Sequence, residues 1–123
     1  MNTNEIKIGD WVWYNDGVPC KIQEVYQDGV AISPSKIKVS YDDIEPLPLT
    51  KEILEKNGWK KYYENEWTNP NFANLHASFI NEGEWVITSR NCETVDNVLT
   101  DIRYIHELQH ILWVIGEDDN LTI

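Results

Sequence analysis

His106, Glu107 and His110 are the residues of this chain whose types and spacing most readily suggest chemistry. In the run His106-Glu107-Leu108-Gln109-His110 the imidazoles stand one helical turn apart, so an α-helix would present both on one face. Two neutral imidazoles so placed can chelate zinc, and the glutamate after the first can act as general base toward a metal-bound water. The activity such a site would supply is that of a zinc-dependent hydrolase. A catalytic zinc needs a third protein ligand. Glu117 shares nearly the same face, but at about 1.5 Å rise per residue it lies roughly 10 Å beyond His110 along the axis. The extended metalloprotease motif has a Gly and a third His after the second His, and here those places hold Trp113 and Gly116. The residues therefore favour a scaffold reading, with no metal and no cofactor. On that reading His106 packs at the border of the apolar face beside Ile102, and His110 is an exposed residue near the helix C-terminus.

Other carriers of catalysis are missing from the pattern. There is no Gly-rich phosphate loop, no GxSxG turn and no close carboxylate pair on one helix face. His76 falls in a strand with no evident partner. Cys20 and Cys92 are far apart and neither belongs to a CxxC pair, which predicts two reduced, buried thiols. Trp11, Trp13, Tyr14 and Tyr26 form an aromatic cluster that could line a groove for a peptide, although a core this small needs most of those rings inside.

The elements that must position these residues follow from periodicity. Ile6, Ile8, Val12 and Tyr14 read as a first strand with a bulge at Gly9-Asp10. Asp16-Gly17 and Asp28-Gly29 mark turns around a second strand over 18–26 and a third over Val30–Ile32. Ile37, Val39 and Tyr41 alternate with Lys36, Lys38 and Ser40 as a fourth. Four short strands with tight turns are expected to curl into a small SH3-like barrel. In PLPLTKEILEKNGW, Thr50 is the expected N-cap and Leu49 and Leu54 the staple, with Gly58 ending the helix so that Trp59 folds back on Leu54. A second antiparallel sheet is expected over 60–90, 94–99 fits either period, and a closing helix is predicted from an N-cap at Thr100 through Ile115. The fold class is α+β, organised as a barrel-like part over 1–48 and an α+β part over 49–123.

Composition narrows the partners. With 41% hydrophobic residues, six Trp and six Tyr, the 123-residue chain is too apolar to be disordered despite a net charge of −11. Acidic side chains outnumber basic ones eight to four in 1–48 and thirteen to six in 49–123. Neither half carries the clustered Lys and Arg that phosphate binding needs, so direct nucleic-acid binding is not expected. Acidic mimicry of nucleic acid is a minor alternative. The chain has no basic segment leading into a long apolar run, which predicts a cytoplasmic protein with no membrane span.

The order IKIGDWV (6–12), IEPLPLTKEILEKNGW (44–59) and IRYIHELQHIL (102–112) resembles a family of small uncharacterised proteins common in prophages and mobile elements of gut bacteria. The resemblance covers most of the chain but not 60–98. In that family Gln often stands at the place of Glu107 and Asn at the place of His110, so neither a general base nor a second ligand is implied. His106, Leu108 and Gln109 match and look structural, on a helix end that docks onto the preceding sheet. The resemblance implies a mobile-element origin and no particular chemistry. Together with the residue pattern it leads to the expectation of a non-enzymatic protein-interaction module with an unknown protein partner.

Overall fold

The structure is a computed structural model that describes residues 6–15, 17–71, 75–81, 83–90, 96–116 and 119–123, with backbone alone for 90 and 96–99. Among these residues the chain forms a mostly-β α+β fold of two five-stranded antiparallel sheets and two α-helices.

The first sheet comprises β1 (Trp11–Tyr14), β2 (Val18–Val25), β3 (Gly29–Ile32), β4 (Ile37–Ser40) and β5 (Ile44–Pro46), in the order β4-β3-β2-β1-β5. A register shift between Ile22 and Glu24 divides β2, whose first half pairs with β1 and second half with β3. Val12, Cys20, Ile22, Val30, Ile32, Val39 and Ile44 share one buried cluster with Ile6, as period-2 alternation requires. Gly29 is needed where β3 opens, because a Cβ there would lie 2.3 Å from the Val39 carbonyl oxygen. The expected barrel does not close. β4 and β5, of four and three residues, remain the two edges, too short to carry the sheet round on itself. The first strand also begins later than the alternation of Ile6 and Ile8 suggests. Residues 7–10 form a turn through Gly9 (φ +95°), in which the Asp10 carboxylate accepts the Lys7 amide at 2.8 Å.

The next segment forms as its residues dictate. In α1 (Lys51–Lys56) the Thr50 hydroxyl accepts the Ile53 amide at 3.3 Å. Gly58 at φ +85° then donates to Glu55 O, and Trp59 donates to Leu54 O at 3.0 Å, closing the helix in a Schellman arrangement. Leu54 and Trp59 are both buried in the larger core.

That core lies against the second sheet, in which β6 (Lys60–Tyr63), β7 (Glu66–Thr68), β8 (Leu75–Asn81), β9 (Glu84–Arg90) and β10 (Asp96–Ile102) follow one another in space as in sequence. Trp67, Leu75, Ala77, Trp85, Ile87 and Ile102 cluster with Ile105, Leu108 and Leu112 of α2 (Ile105–Val114). The helix starts four residues later than an N-cap at Thr100 would place it. Thr100, Asp101 and Ile102 pair instead with Ile87, Val86 and Trp85, so the ambiguous stretch resolves as strand where it is described. Residues 94 and 95 lie outside the described residues. The helix begins after Tyr104 because the Glu107 carboxylate accepts the amides of Arg103 and Tyr104 at 3.0 and 3.1 Å.

Two straps bind the sheets together. Residues 47–49 run beside 103–105, with Leu49 N donating to Arg103 O and Ile105 N to Leu47 O. On the other side Trp11 and Trp13 of β1 pack against the larger core while Val12 serves the smaller, so β1 is a wall common to both. Among the described residues no helix is long and apolar enough to cross a membrane.

Candidate functional site

Each polar letter of the HELQH run meets a partner through the fold. Glu107 caps α2. Gln109 is 1% exposed, and its amide accepts from Trp11 N at 3.0 Å and donates to Gly9 O at 2.9 Å and Asp119 O at 3.1 Å. Its acceptor and both donor hydrogens are thereby used. His110, expected to be exposed, is half-buried, and its Nε2 lies 2.7 Å from Oδ2 of Asp10, a carboxylate with no exposure to solvent. Lys7 closes the other side of that carboxylate, its ammonium 3.9 Å from Oδ1 and 2.6 Å from Asp119. His106 is buried, stacked on Tyr104 and edge-on to His110 with ring centroids 5.5 Å apart. The cluster joins α2 to the turn that precedes β1. Among the described residues no group of three or more His, Cys, Asp or Glu side chains is placed to hold a metal ion, and Glu117 lies outside those residues.

His76 also finds a carboxylate. Its Nδ1 stands 2.7 Å from Glu66 Oε1, and the Tyr62 ring meets it edge-on at 5.1 Å, tying β6, β7 and β8 together. Cys20 is a free thiol in the smaller core, and burial pushes its pKa up. Cys92 lies outside the described residues.

The four aromatic residues singled out by composition divide between environments. Trp11 donates its indole N–H to Leu121 O at 2.8 Å and packs, like Trp13, against the larger core, whereas Tyr14 packs against the smaller one. Tyr26 is exposed beside Glu24, with the Lys38 ammonium 5.0 Å from its ring centroid. The Tyr26 hydroxyl, and after it Lys36, hold the Glu24 carboxyl below the usual range, and the same bond raises Tyr26.

A concavity lies elsewhere, in a groove of about 710 Å³ between α1 and the end of the second sheet. Its floor is aromatic. Trp67, Phe79 and Trp85 fall on one face of β7, β8 and β9, and Trp85 meets Trp67 at 5.6 Å and Phe79 at 5.4 Å, each edge to face. Two hydrogen bonds fix the floor. Trp85 donates to Leu49 O at 3.1 Å, and Trp67 donates to Glu55 Oε1 at 3.3 Å. The rim is charged, with Glu52, Glu55 and Lys51 on the helix side and Lys61 and Glu64 on the hairpin side. Phe79, 37% exposed, gives the groove an apolar surface that solvent reaches. Periodicity could have found these rings, because Trp67, Phe79 and Trp85 occupy inward positions of strands already legible as such. That Phe79 is left partly uncovered while Trp67 and Trp85 are buried is a tertiary fact. No family model matches the chain, and neither the characterised proteins nor the solved structures compared with it give a match.

Proposed function

We propose that this protein is a non-enzymatic interaction module that receives a peptide segment of a protein partner in the groove between α1 and the second sheet. The observation that carries this reading is an aromatic floor, fixed by hydrogen bonds to Leu49 and Glu55, that remains open to solvent at Phe79. Preformed apolar concavities with a few placed polar groups are the usual form of a recognition site, and aromatic rings held rigidly supply contact area at little entropic cost. The engagement of Glu107, Gln109 and His110 in holding α2 supports a non-catalytic role for the histidine run. The strand order β4-β3-β2-β1-β5, with a 3-10 turn at Tyr41–Asp43 leading into β5, supports an SH3-like reading of the first sheet, which then serves as scaffold. A cytoplasmic setting and a mobile-element origin belong to the same proposal, resting on the sequence resemblance.

Selection from a random peptide display library tests the groove. Enriched peptides are expected to bind the protein and to lose at least tenfold in affinity against Phe79→Ala, provided its circular dichroism is unchanged. Peptides that bind both proteins equally, or a library that yields no enrichment, would overturn the proposal.

A further inference from the structure

We infer that the groove recognises a cationic side chain, a lysine or arginine of an extended partner peptide, laid against Trp67 in the position that Lys61 now occupies. This inference rests on the peptide-binding reading of the groove and specifies its chemistry. Lys61 stands opposite Trp67 across the β6–β7 pair, and its ammonium lies 6.0 Å from the indole centroid. A cation over an indole face is attracted by the ring's quadrupole, and the attraction grows as the pair is screened from water. Trp67 is a core ring, 3% exposed, and the Lys61 ammonium holds in the free protein the place proposed for the ligand's cation. Lys61 itself belongs to an exposed edge strand, from which its flexible side chain can swing into solvent.

The charges around the ring favour the exchange. Glu52, Glu55 and Glu64 line the groove against Lys51 and Lys61, a local excess of one negative charge that becomes two once Lys61 leaves. The Glu55 carboxylate accepts from the Trp67 indole N–H, which places an anion at the edge of the ring whose face takes the cation. Phe79, the groove ring that solvent reaches, offers apolar surface to the methylenes of a long cationic side chain. The net charge of −11 on the whole chain steers the same class of partner and repels an acidic one.

Three acetylated, amidated ten-residue peptides, alternating Leu with Lys, Gln or Glu, test this by calorimetric titration of the intact protein. The Lys peptide should bind at least tenfold more tightly than the Gln peptide, and the Glu peptide should not bind measurably. Lys61→Ala should tighten the Lys peptide several-fold by removing the resident competitor, whereas Glu55→Gln should weaken it. Equal affinity for the Lys and Gln peptides would overturn the cationic inference while leaving the groove as a peptide site. Binding of all three peptides undiminished by Phe79→Ala would sink the groove reading itself. Weaker binding by Lys61→Ala would make Lys61 a contact rather than a stand-in and would overturn the inference. So would a monomer–dimer equilibrium broken by Phe79→Ala, which would assign the groove to a second copy of this chain.

Discussion

Replacing Gln109 isolates what holds the closing helix against the first sheet. The side chain is 1% exposed and makes three hydrogen bonds, to Trp11 N, Gly9 O and Asp119 O. Gln109→Leu keeps the approximate volume and removes all three partners at once. Leaving a buried donor or acceptor unpaired costs about 1–3 kcal/mol. These three backbone groups are only partly buried, so the low end applies, giving about 3 kcal/mol in total. Unfolding entropy of roughly 2.1 cal/mol/K per residue, over 123 residues, is about 0.26 kcal/mol/K, which converts the loss to a Tm decrease of about 12 °C. Gln109→Glu keeps the acceptor for Trp11 N but turns a carboxylate toward the two carbonyls, and should cost about as much. Reversible thermal melts followed by circular dichroism measure both, with Val114→Ala, at a position 73% exposed, as the control. A Tm decrease below about 4 °C for Gln109→Leu would refute the claim that this amide is what docks α2.

Other perturbations follow from the same geometry. Glu107→Ala should cost about 1 kcal/mol by freeing the Arg103 and Tyr104 amides, and Glu107→Gln should recover most of it in urea melts, since an amide oxygen can accept the same bonds. His110→Ala leaves the fully buried Asp10 carboxylate without its imidazole. Because His110 is itself partly exposed, the cost should be about 2 kcal/mol, below the 3–5 kcal/mol of a fully buried pair, and adding Asp10→Asn should not deepen it in a double-mutant cycle. The two glycines separate steric from conformational cost. Gly29→Ala drives a Cβ against Val39 O and should lose about 2–3 kcal/mol, whereas Gly58→Ala meets only Pro70 at 3.5 Å and should lose about 1 kcal/mol for its left-handed backbone, both read from chemical denaturation midpoints. In a Cys92→Ser background Cys20 should resist a thiol reagent at pH 8 until the chain unfolds. Its folded pKa is raised, so the unfolded chain gives up the thiol proton first, and stability should decline as pH climbs beyond the ordinary thiol range. Fast labelling of the native protein would contradict this.

The parts of the fold legible in the sequence are those fixed by near neighbours. Thr50, Gly58 and Trp59 act within α1 itself, so cap, left-handed residue and return contact could all be read from spacing. Alternation likewise located most strands, because the side chains that bury together recur at period 2. Where two periods compete, the pattern fails. Ile102 suits a helix face and a strand face equally, and pairing with Trp85 decides for the strand. The barrel expected of the first sheet fails for a related reason, since closure depends on how far two edge strands of three and four residues reach. The candidate site was the least legible of all. Its floor comes from three strands and its rim from α1 and a hairpin, and no local signal records that α1 covers some rings and leaves Phe79 open.

The histidine run shows why letters at the right spacing do not establish a site. A glutamate serving as general base must turn its oxygens toward a water on the metal, and that orientation is available only if the carboxylate is not already committed. Here Glu107 occupies the third position of its helix, where the unpaired amides of Arg103 and Tyr104 lie within reach and a carboxylate satisfies both. The motif's place in the helix thus gives its glutamate a capping role in this structure. The other two polar residues are fixed from afar. Gly9 and Asp10 stand 100 positions from Gln109 and His110, so the interactions that commit those side chains depend on the fold bringing the first turn of the chain to its last helix.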